Sequence, residues 1–359
     1  IKLFKDILLV VYNMFKFILF ILFFSQVVSQ QPILKRRGLT INDESFHWTE
    51  FSTFREKFNK RYSNLQELET RFAIFKKNLI TILEHNSDFT QNFTMGINQF
   101  TDLTNEEFKK NIIGEGVKTN LKAGSFGCKS FTSTASNSPN SIDWRNMGVV
   151  NPVRDQGQCG SCWAFATTAN AESAWALSKG QLLDLSEEYL VDCASGVGYY
   201  NMGCNGGNPD SSFKYMINNG QCFESSYPYT AGITKTASTC HTCTSVAKFS
   251  SCYDVKPNDQ VSLKGAVAKQ PVVIAIEADT KYFQSYSGGI LTSTECKTQI
   301  DHAVEIIGYG EDNGVKYWTI RNSWGPTWGE QGYVRILRSE STNDVGICGV
   351  ATEPSFIIV

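Results

Sequence analysis

A chain of 359 residues is long enough to bury a large core or to form two domains. Its formal net charge of −2 excludes the strongly basic class that holds nucleic acid electrostatically. Eleven cysteines point to an oxidising compartment, and five disulfides plus one free thiol would account for every sulfur.

The chain opens on Ile1, so it either lacks its start or begins with upstream translated sequence over residues 1–13, with Met14 as the candidate start of a recognisable leader. Phe15-Lys16 is a short basic start, residues 17–24 are an apolar core, and Val27-Val28-Ser29 ends in small side chains. That order predicts a signal peptide over 14–29, cut after Ser29. The rival is a membrane anchor over about 7–24, which at about 18 residues sits at the lower limit for a span. It would also carry Asn13 and Lys16, so no stable membrane anchor is expected.

A pro-region is expected over 30–125, with its end between 118 and 138. Residues 30–45 are polar. Phe46, Trp48, Phe51, Phe54 and Phe58 then recur at helical spacing. A second helix follows, on which Glu67, Arg71, Phe75, Asn78, Ile82 and Asn86 fall along one stripe. Glu67 and Arg71 are spaced for an i,i+4 ion pair. This stripe matches the ERFNIN pattern of cathepsin L-like propeptides at every position. Gly96-Ile97-Asn98-Gln99-Phe100-Thr101-Asp102 matches their second motif, Gly-x-Asn-x-Phe-x-Asp. The chain thus resembles the cathepsin L-like branch of the papain family, and the cathepsin B-like branch is excluded. The resemblance implies an I29-type inhibitory propeptide whose residues 108–116 cross and block an active-site cleft. Protonation of partly buried carboxylates such as Asp102 is expected to loosen that block in acid. Asn92-Phe93-Thr94 is an N-glycosylation sequon within the same region. Residues 119–140, rich in Ser, Thr, Gly and Asn, read as a linker holding the processing site.

The peptidase half, 126–359, is organised around Gln156-Gly157-Gln158-Cys159-Gly160-Ser161-Cys162-Trp163. Glycines break regular structure before Cys162, and an alanine-rich helix follows that Gly180 stops. A thiol at a helix N-terminus has its pKa lowered, and the thiolate is the nucleophile. The run Cys159-Gly160-Ser161-Cys162-Trp163 matches the signature around the nucleophile of papain and the cathepsins, a second resemblance to that family.

Further on, Leu185-Ser186-Glu187-Glu188 signals a helix start, and Cys204-Asn205-Gly206-Gly207 a glycine-rich turn. Residues 272–276, 303–309 and 316–321 read as strands, the last two joined at Glu311-Asp312-Asn313-Gly314. A turn centred on Asp312-Asn313 places His302 opposite Asn322 or Ser323. Of the four histidines, His47 and His85 lie in the pro-region and His241 in a cysteine-rich loop, which leaves His302 as the candidate base.

By resemblance, Cys162 is the nucleophile and His302 the general acid/base. Asn322 orients the imidazole, Gln156 lines the oxyanion hole, and Trp324 shields the His–Asn bond. Gly206 and Gly207 form a wall that pairs with extended substrate. Asn208, Pro209, Ala275, Ile300, Ala303 and Glu353, next to Asp301, form the main specificity pocket. Its apolar lining fits Leu, Phe or Val. Glu353 either admits Arg by ion pairing or points to solvent. The implied bridges are Cys159–Cys204, Cys193–Cys240 and Cys296–Cys348, with Cys243 as an alternative to Cys240. Cys128, Cys222, Cys243 and Cys252 are extra, and parity argues for two further bridges. If Cys128 takes part, the mature chain begins before it. A zinc site at Cys240-His241-Thr242-Cys243 with Cys252 is the alternative, but no metal or other cofactor is expected.

The resemblance implies an α+β papain-like fold of two domains, a helical half facing an antiparallel β-barrel-like half, with the cleft between them. The expected protein is a cysteine endopeptidase made as a secreted or lysosome-like zymogen. Its expected partners are protein and peptide substrates, its own propeptide and cystatin-like inhibitors, and it is expected to be a monomer. The rivals are a catalytically inactive binding protein and an exopeptidase.

Overall fold

The computed structural model describes residues 43–114, 117, 125–196 and 198–359. The leader expected over 14–29 lies outside the described residues. Among those described, no helix is long and apolar enough to cross a membrane.

Two helices packed on each other open the described chain. The Asp43 carboxylate caps α1 (Glu44–Lys57) by accepting from the Ser45 and Phe46 amides. Asn64 caps α2 (Leu65–Ser87) by accepting from the Glu67 amide at 2.9 Å. The aromatic stripe is their seam: Phe51, Phe54 and Phe75 are buried, and Trp48 stacks on Phe72 with centroids 3.7 Å apart. Each such buried ring contributes about 1.5–3 kcal/mol.

The expected Glu67–Arg71 pair does not form. Glu67 turns back to the Ser63 amide and hydroxyl, both at 2.6 Å. Arg71 reaches across to Glu107 at 2.7 Å and to the Asp102 carbonyl at 3.0 Å. Helical spacing brought the two side chains within reach, but each found a partner that also satisfied a backbone group. Asn78 and Asn86 likewise leave the helix to bind backbone. Asn78 donates to Thr101 and Leu103, and Asn86 exchanges two bonds with Met95. The Asp102 carboxylate meets Lys60 at 2.9 Å and Tyr62 at 3.0 Å.

Strand β1 (Phe93–Met95) carries the pro-region onto the peptidase sheet. The other strands are β2 (Lys129–Phe131), β3 (Ile142–Asp143), β4 (Ser251–Val255), β5 (Val272–Ile276), β6 (Tyr286–Leu291), β7 (His302–Asp312), β8 (Val315–Arg321), β9 (Tyr333–Leu337) and β10 (Ser355–Ile358). Their order is β1-β6-β9-β8-β7-β5-β10-β4-β2, with β3 on β7. The sheet is mixed and not wholly antiparallel: β2–β4 and β6–β9 run parallel. Each parallel pair is joined by a long excursion, as parallel pairing requires. The helical half is built on α3 (Cys162–Lys179), α4 (Glu187–Cys193) and α5 (Pro209–Asn219), while α6 (Gln260–Val267) packs with the strands. Gly180 takes φ 71° and ends α3 by donating to Ala176 at 2.9 Å.

The β7–β8 hairpin turns later than its sequence suggests. Asp312 faces Val315, and past a bulge between Ile306 and Gly308 Glu305 faces Arg321. The turn sits at Asn313-Gly314, where both residues take positive φ. Backbone pairing of the two strands stops at Glu305–Arg321, short of His302, whose side chain nevertheless meets that of Asn322.

Five disulfides join Cys128–Cys252, Cys159–Cys204, Cys193–Cys240, Cys222–Cys243 and Cys296–Cys348, and Cys162 is free. Cys240, Cys243 and Cys252 therefore belong to three different bridges, which removes the thiolates that a zinc site there would need. The linker also departs from expectation, because from Phe126 onward it is packed on the peptidase body.

Candidate active site

Cys162 is the first residue of α3 and is fully buried. The loop before it is set by close backbone contacts. A Cβ on Gly160 would meet the Cys204 carbonyl at 2.5 Å and the Ile113 carbonyl at 3.1 Å. Gln156 is anchored by its amide to the Ser323 carbonyl at 2.9 Å. Its side-chain Oε1 accepts from the Ser323 hydroxyl at 2.6 Å, and its Nε2 donates to the Cys159 and Ile112 carbonyls, each at 2.9 Å.

His302 opens β7, also fully buried, with Nε2 2.8 Å from Asn322 Oδ1. That oxygen also accepts from the Ser323 amide, so it is the acceptor and His302 Nε2 carries the proton. His302 Nδ1 is left with a lone pair and no hydrogen-bond partner among the described residues. Trp324 stacks on the imidazole at 4.6 Å. The same indole meets Phe283 and Trp328 edge-on, and from the pro-region Phe100 and Phe108.

The pro-region covers all of this. Phe108 and Ile113 are fully buried, Ile112 places its carbonyl on Gln156, and Gly114 passes close to Gly160. Val117 bridges to Gly207 in parallel and donates its amide to the Asp301 carbonyl at 3.2 Å. The chain thus touches both walls of the cleft. Residues 115 and 116 of the expected blocking segment lie outside the described residues. Burial under this cover pushes the Cys162 thiol up to about 12, against the pull of the Ala303 amide, and the His302 imidazole down to about 4. Burial under the cover thus favours the neutral thiol and the neutral imidazole, against the lowering expected at a helix start.

Of the expected pocket residues, Ala275 and Ala303 are register partners on β5 and β7, and Ile300 packs against the same core. Asn208 is turned inward and caps α5 by accepting from the Ser211 amide at 3.1 Å, with Pro209 in the first helical turn. Its cap role competes with any role in the pocket. Asp301 Oδ1 accepts from the Ala278 amide at 2.7 Å, and burial pushes its carboxyl up to about 7. Glu353 is also pushed up to about 7, by burial and then by the charges of Asp210 and Asp254.

Two features had no separate signal in the sequence. The Ser323 hydroxyl fixes the Gln156 amide, although Ser323 lies between the expected site residues Asn322 and Trp324. Behind Asn322, Arg154 and Arg321 face Glu172, Glu187 and Glu305, spread over three segments.

A family profile described as "Papain family cysteine protease" matches residues 138–358, and one described as "Cathepsin propeptide inhibitor domain (I29)" matches residues 51–108. Germination-specific cysteine protease 1 of Arabidopsis thaliana is 42% identical over 304 residues, covering 83% of this chain and 80% of that protein. Chymopapain of Carica papaya is 41% identical over 301 residues, covering 84% and 83%. Among solved structures, recombinant stem bromelain precursor aligns with TM-score 0.76 and 37% identity, covering 87% of this chain and 99% of that one. Digestive procathepsin L 3 of Tenebrio molitor aligns with TM-score 0.78 and 38% identity, also covering 87% and 99%.

Proposed function

This chain belongs to the papain family of cysteine proteases and carries that family's propeptide inhibitor domain, and on that premise we propose that it is an endopeptidase zymogen whose catalytic groups are Cys162, His302, Asn322 and Gln156. One contact carries the reading: the pro-region's Ile112 carbonyl already sits on the Gln156 Nε2 donor. A peptide carbonyl on that donor supports reading Gln156 Nε2 as the group that receives a substrate carbonyl.

Once the cover leaves, water and substrate dipoles replace the buried environment. The Cys162 proton passes to His302 Nδ1, the nitrogen left open by the Nε2 bond to Asn322. Thiolate at the helix start and imidazolium then stabilise one another. The thiolate attacks the scissile carbonyl, and its oxyanion is held by Gln156 Nε2 and the Cys162 amide. His302 returns the proton to the leaving amine, and a water deprotonated by His302 hydrolyses the thioester. Gln156→Ala is expected to lower kcat by about 10²-fold with little change in KM. A purely structural role for Gln156 would leave kcat per folded site unchanged. A peptide library separates internal cutting from end trimming, and release of one or two residues per turnover would move the assignment to an exopeptidase.

The pocket of Pro209, Ala275, Ile300, Ala303 and Glu353 takes an apolar side chain at the second position before the cut. Glu353 adds a conditional preference for Arg. Its carboxyl, held up to about 7, is neutral in acid and ionises as pH rises through that value. The ratio of kcat/KM for Arg over Leu at that position is therefore expected to rise between about pH 5 and 8. Dividing by the Leu substrate cancels the shared titration of the catalytic pair. A flat ratio, or the same rise in Glu353→Ala, would remove the ion-pairing role.

Maturation is expected in an acidic compartment of the secretory route or after secretion. Arg71 holds the Glu107 carboxyl below its ordinary value of 4.5. A carboxylate depressed in the folded state stabilises it above the unfolded pKa, and that stability is lost as pH falls through the folded one. This clamp therefore loosens below about 4.5. Arg71→Ala is expected to convert several-fold faster between about pH 5 and 7, with a weaker response to further acid. Conversion at the wild-type rate across that range would count against the clamp.

A further inference from the structure

Residues 126–139 look like a loose junction in the sequence, yet they are built into the peptidase body. Phe126 is buried edge-on to Tyr200 at 5.7 Å, with the Lys214 ammonium of α5 5.9 Å from its ring. Cys128 is bonded to Cys252 in β4. Strand β2 then runs along β4 from Lys129 beside Tyr253 to Phe131 beside Val255. The Phe131 carbonyl accepts from the Lys256 amide at 3.0 Å, and its ring meets Phe356 edge-on at 5.5 Å. Ser133 exchanges two hydrogen bonds with the Ser262 hydroxyl of α6, at 3.1 and 3.2 Å. Its own hydroxyl lies 2.1 Å from where a Cβ on residue 265 would stand, so Gly265 makes room for it. The Pro139 carbonyl closes the run by accepting from the Tyr309 hydroxyl at 3.0 Å.

The start of this run lies beside two carboxylates that neighbour the proposed specificity pocket. The Cys128 sulfur and carboxylate oxygens of Asp210 and Asp254 all lie within 4.8 Å of one another. Asp210 directly follows the pocket residue Pro209, and the charges of Asp210 and Asp254 act on Glu353.

We propose that residues 126–139 stay on the mature enzyme as a disulfide-clamped arm, and that Cys128, through that arm, is a positioning residue for the main specificity pocket. The activating cut then falls N-terminal to Phe126. The arm keeps water from the Asp210–Asp254 pair behind Glu353. With the arm unseated, water reaches Asp210, whose carboxyl burial holds up to about 7, its ionised form is favoured, and the pocket turns more negative. A basic side chain at the second position gains relative to leucine. This second part rests on the pocket reading given above.

The test uses the full zymogen, activated in acid. An N-terminus at or before Phe126, with five disulfides in the unreduced intact mass, is the expected result. An N-terminus beyond Cys128, with no arm fragment held in the unreduced mass, overturns the proposal. The Cys128→Ser/Cys252→Ser double variant, counted by titration with a thiol-directed epoxide, should raise the Arg-to-Leu ratio of kcat/KM roughly three- to tenfold. Phe126→Ser gives the same readout with every disulfide intact, should the double variant fail to fold. An unchanged ratio overturns the positioning role. If Glu353→Ala also leaves the ratio unchanged, the pocket reading has failed, and the N-terminus alone decides the arm.

Discussion

Cys162→Ser is expected to leave a folded zymogen that does not process itself and hydrolyses peptide roughly 10⁴- to 10⁶-fold more slowly than the activated wild type. The serine is nearly isosteric, so the buried start of α3 keeps its packing. The hydroxyl, however, is too poor an acid for His302 to ionise at rest. The wild-type thiol should itself change reactivity at maturation. With the pro-region in place burial holds it up to about 12 and holds His302 down to about 4. A thiol-directed epoxide should therefore label Cys162 in the activated enzyme and spare it in the zymogen at the same pH. Equal labelling of both forms would mean that Ile112 and its neighbours do not cover the nucleophile in solution.

Near pH 8.5, Arg321→Ala is expected to cost about 3–5 kcal/mol of folding stability, because it strands buried carboxylates. Arg321 lies 3.8 Å from Glu305 and 4.0 Å from Glu172, and donates to the Pro152 carbonyl at 2.7 Å. Burial already pushes the Glu305 carboxyl up to about 8, with Arg321 opposing that rise. Burial also raises Glu172 and Glu187. An acid raised in the folded state contributes stability that is complete below its unfolded value of 4.5 and is lost as pH rises through the folded value near 8. The wild type should thus weaken as pH climbs from about 4.5 to about 8. The Arg321→Ala deficit should be small near pH 5 and largest near pH 8.5. Urea unfolding of the two chains, each in the Cys162→Ser background to prevent autolysis, measures this. An equal deficit at both pH values would show that Arg321 acts through packing and not through charge.

What the sequence revealed and what it hid divide along a physical line. Local rules served where one segment decides the outcome. Gly157, Gly160 and the alanines place Cys162 at a helix start, and Gly180 ends that helix as glycine does. The paired apolar runs around residues 303–321 announce a hairpin. Where two segments compete, the rules ran short. Spacing put Arg71 within reach of Glu67, but Glu107 and a backbone carbonyl lay across the fold. The register was displaced because Asn313-Gly314 takes the positive φ of the turn and a bulge follows at Ile306–Gly308. Asn208 reads as pocket lining in the sequence, and its second role as the α5 cap shows only in the bond from the Ser211 amide. The Cys128–Cys252 bond spans 124 residues, a distance over which cysteine counts give parity but no partner. Glu305 sits in a run that otherwise reads as an apolar strand, so its place in an ion network has no local mark.

The docking of β1 on β6 has a consequence for the enzyme after its pro-region has gone. Phe93 pairs with Gly289 and Thr94 with Gly288, and the Ile290 amide donates to the Asn92 carbonyl at 2.8 Å. Removal of β1 leaves that row of amides and carbonyls open to solvent as a bare sheet margin, the kind of surface on which identical molecules can stack into insoluble fibres. This margin is poorly suited to that fate. Gly289 holds φ at 87°, and the pairing breaks step between Thr94 and Met95, so a visiting strand finds only a few residues before the path bends away. The kink that shapes the seat of the inhibitor also protects the concentrated enzyme from self-association once the seat is empty.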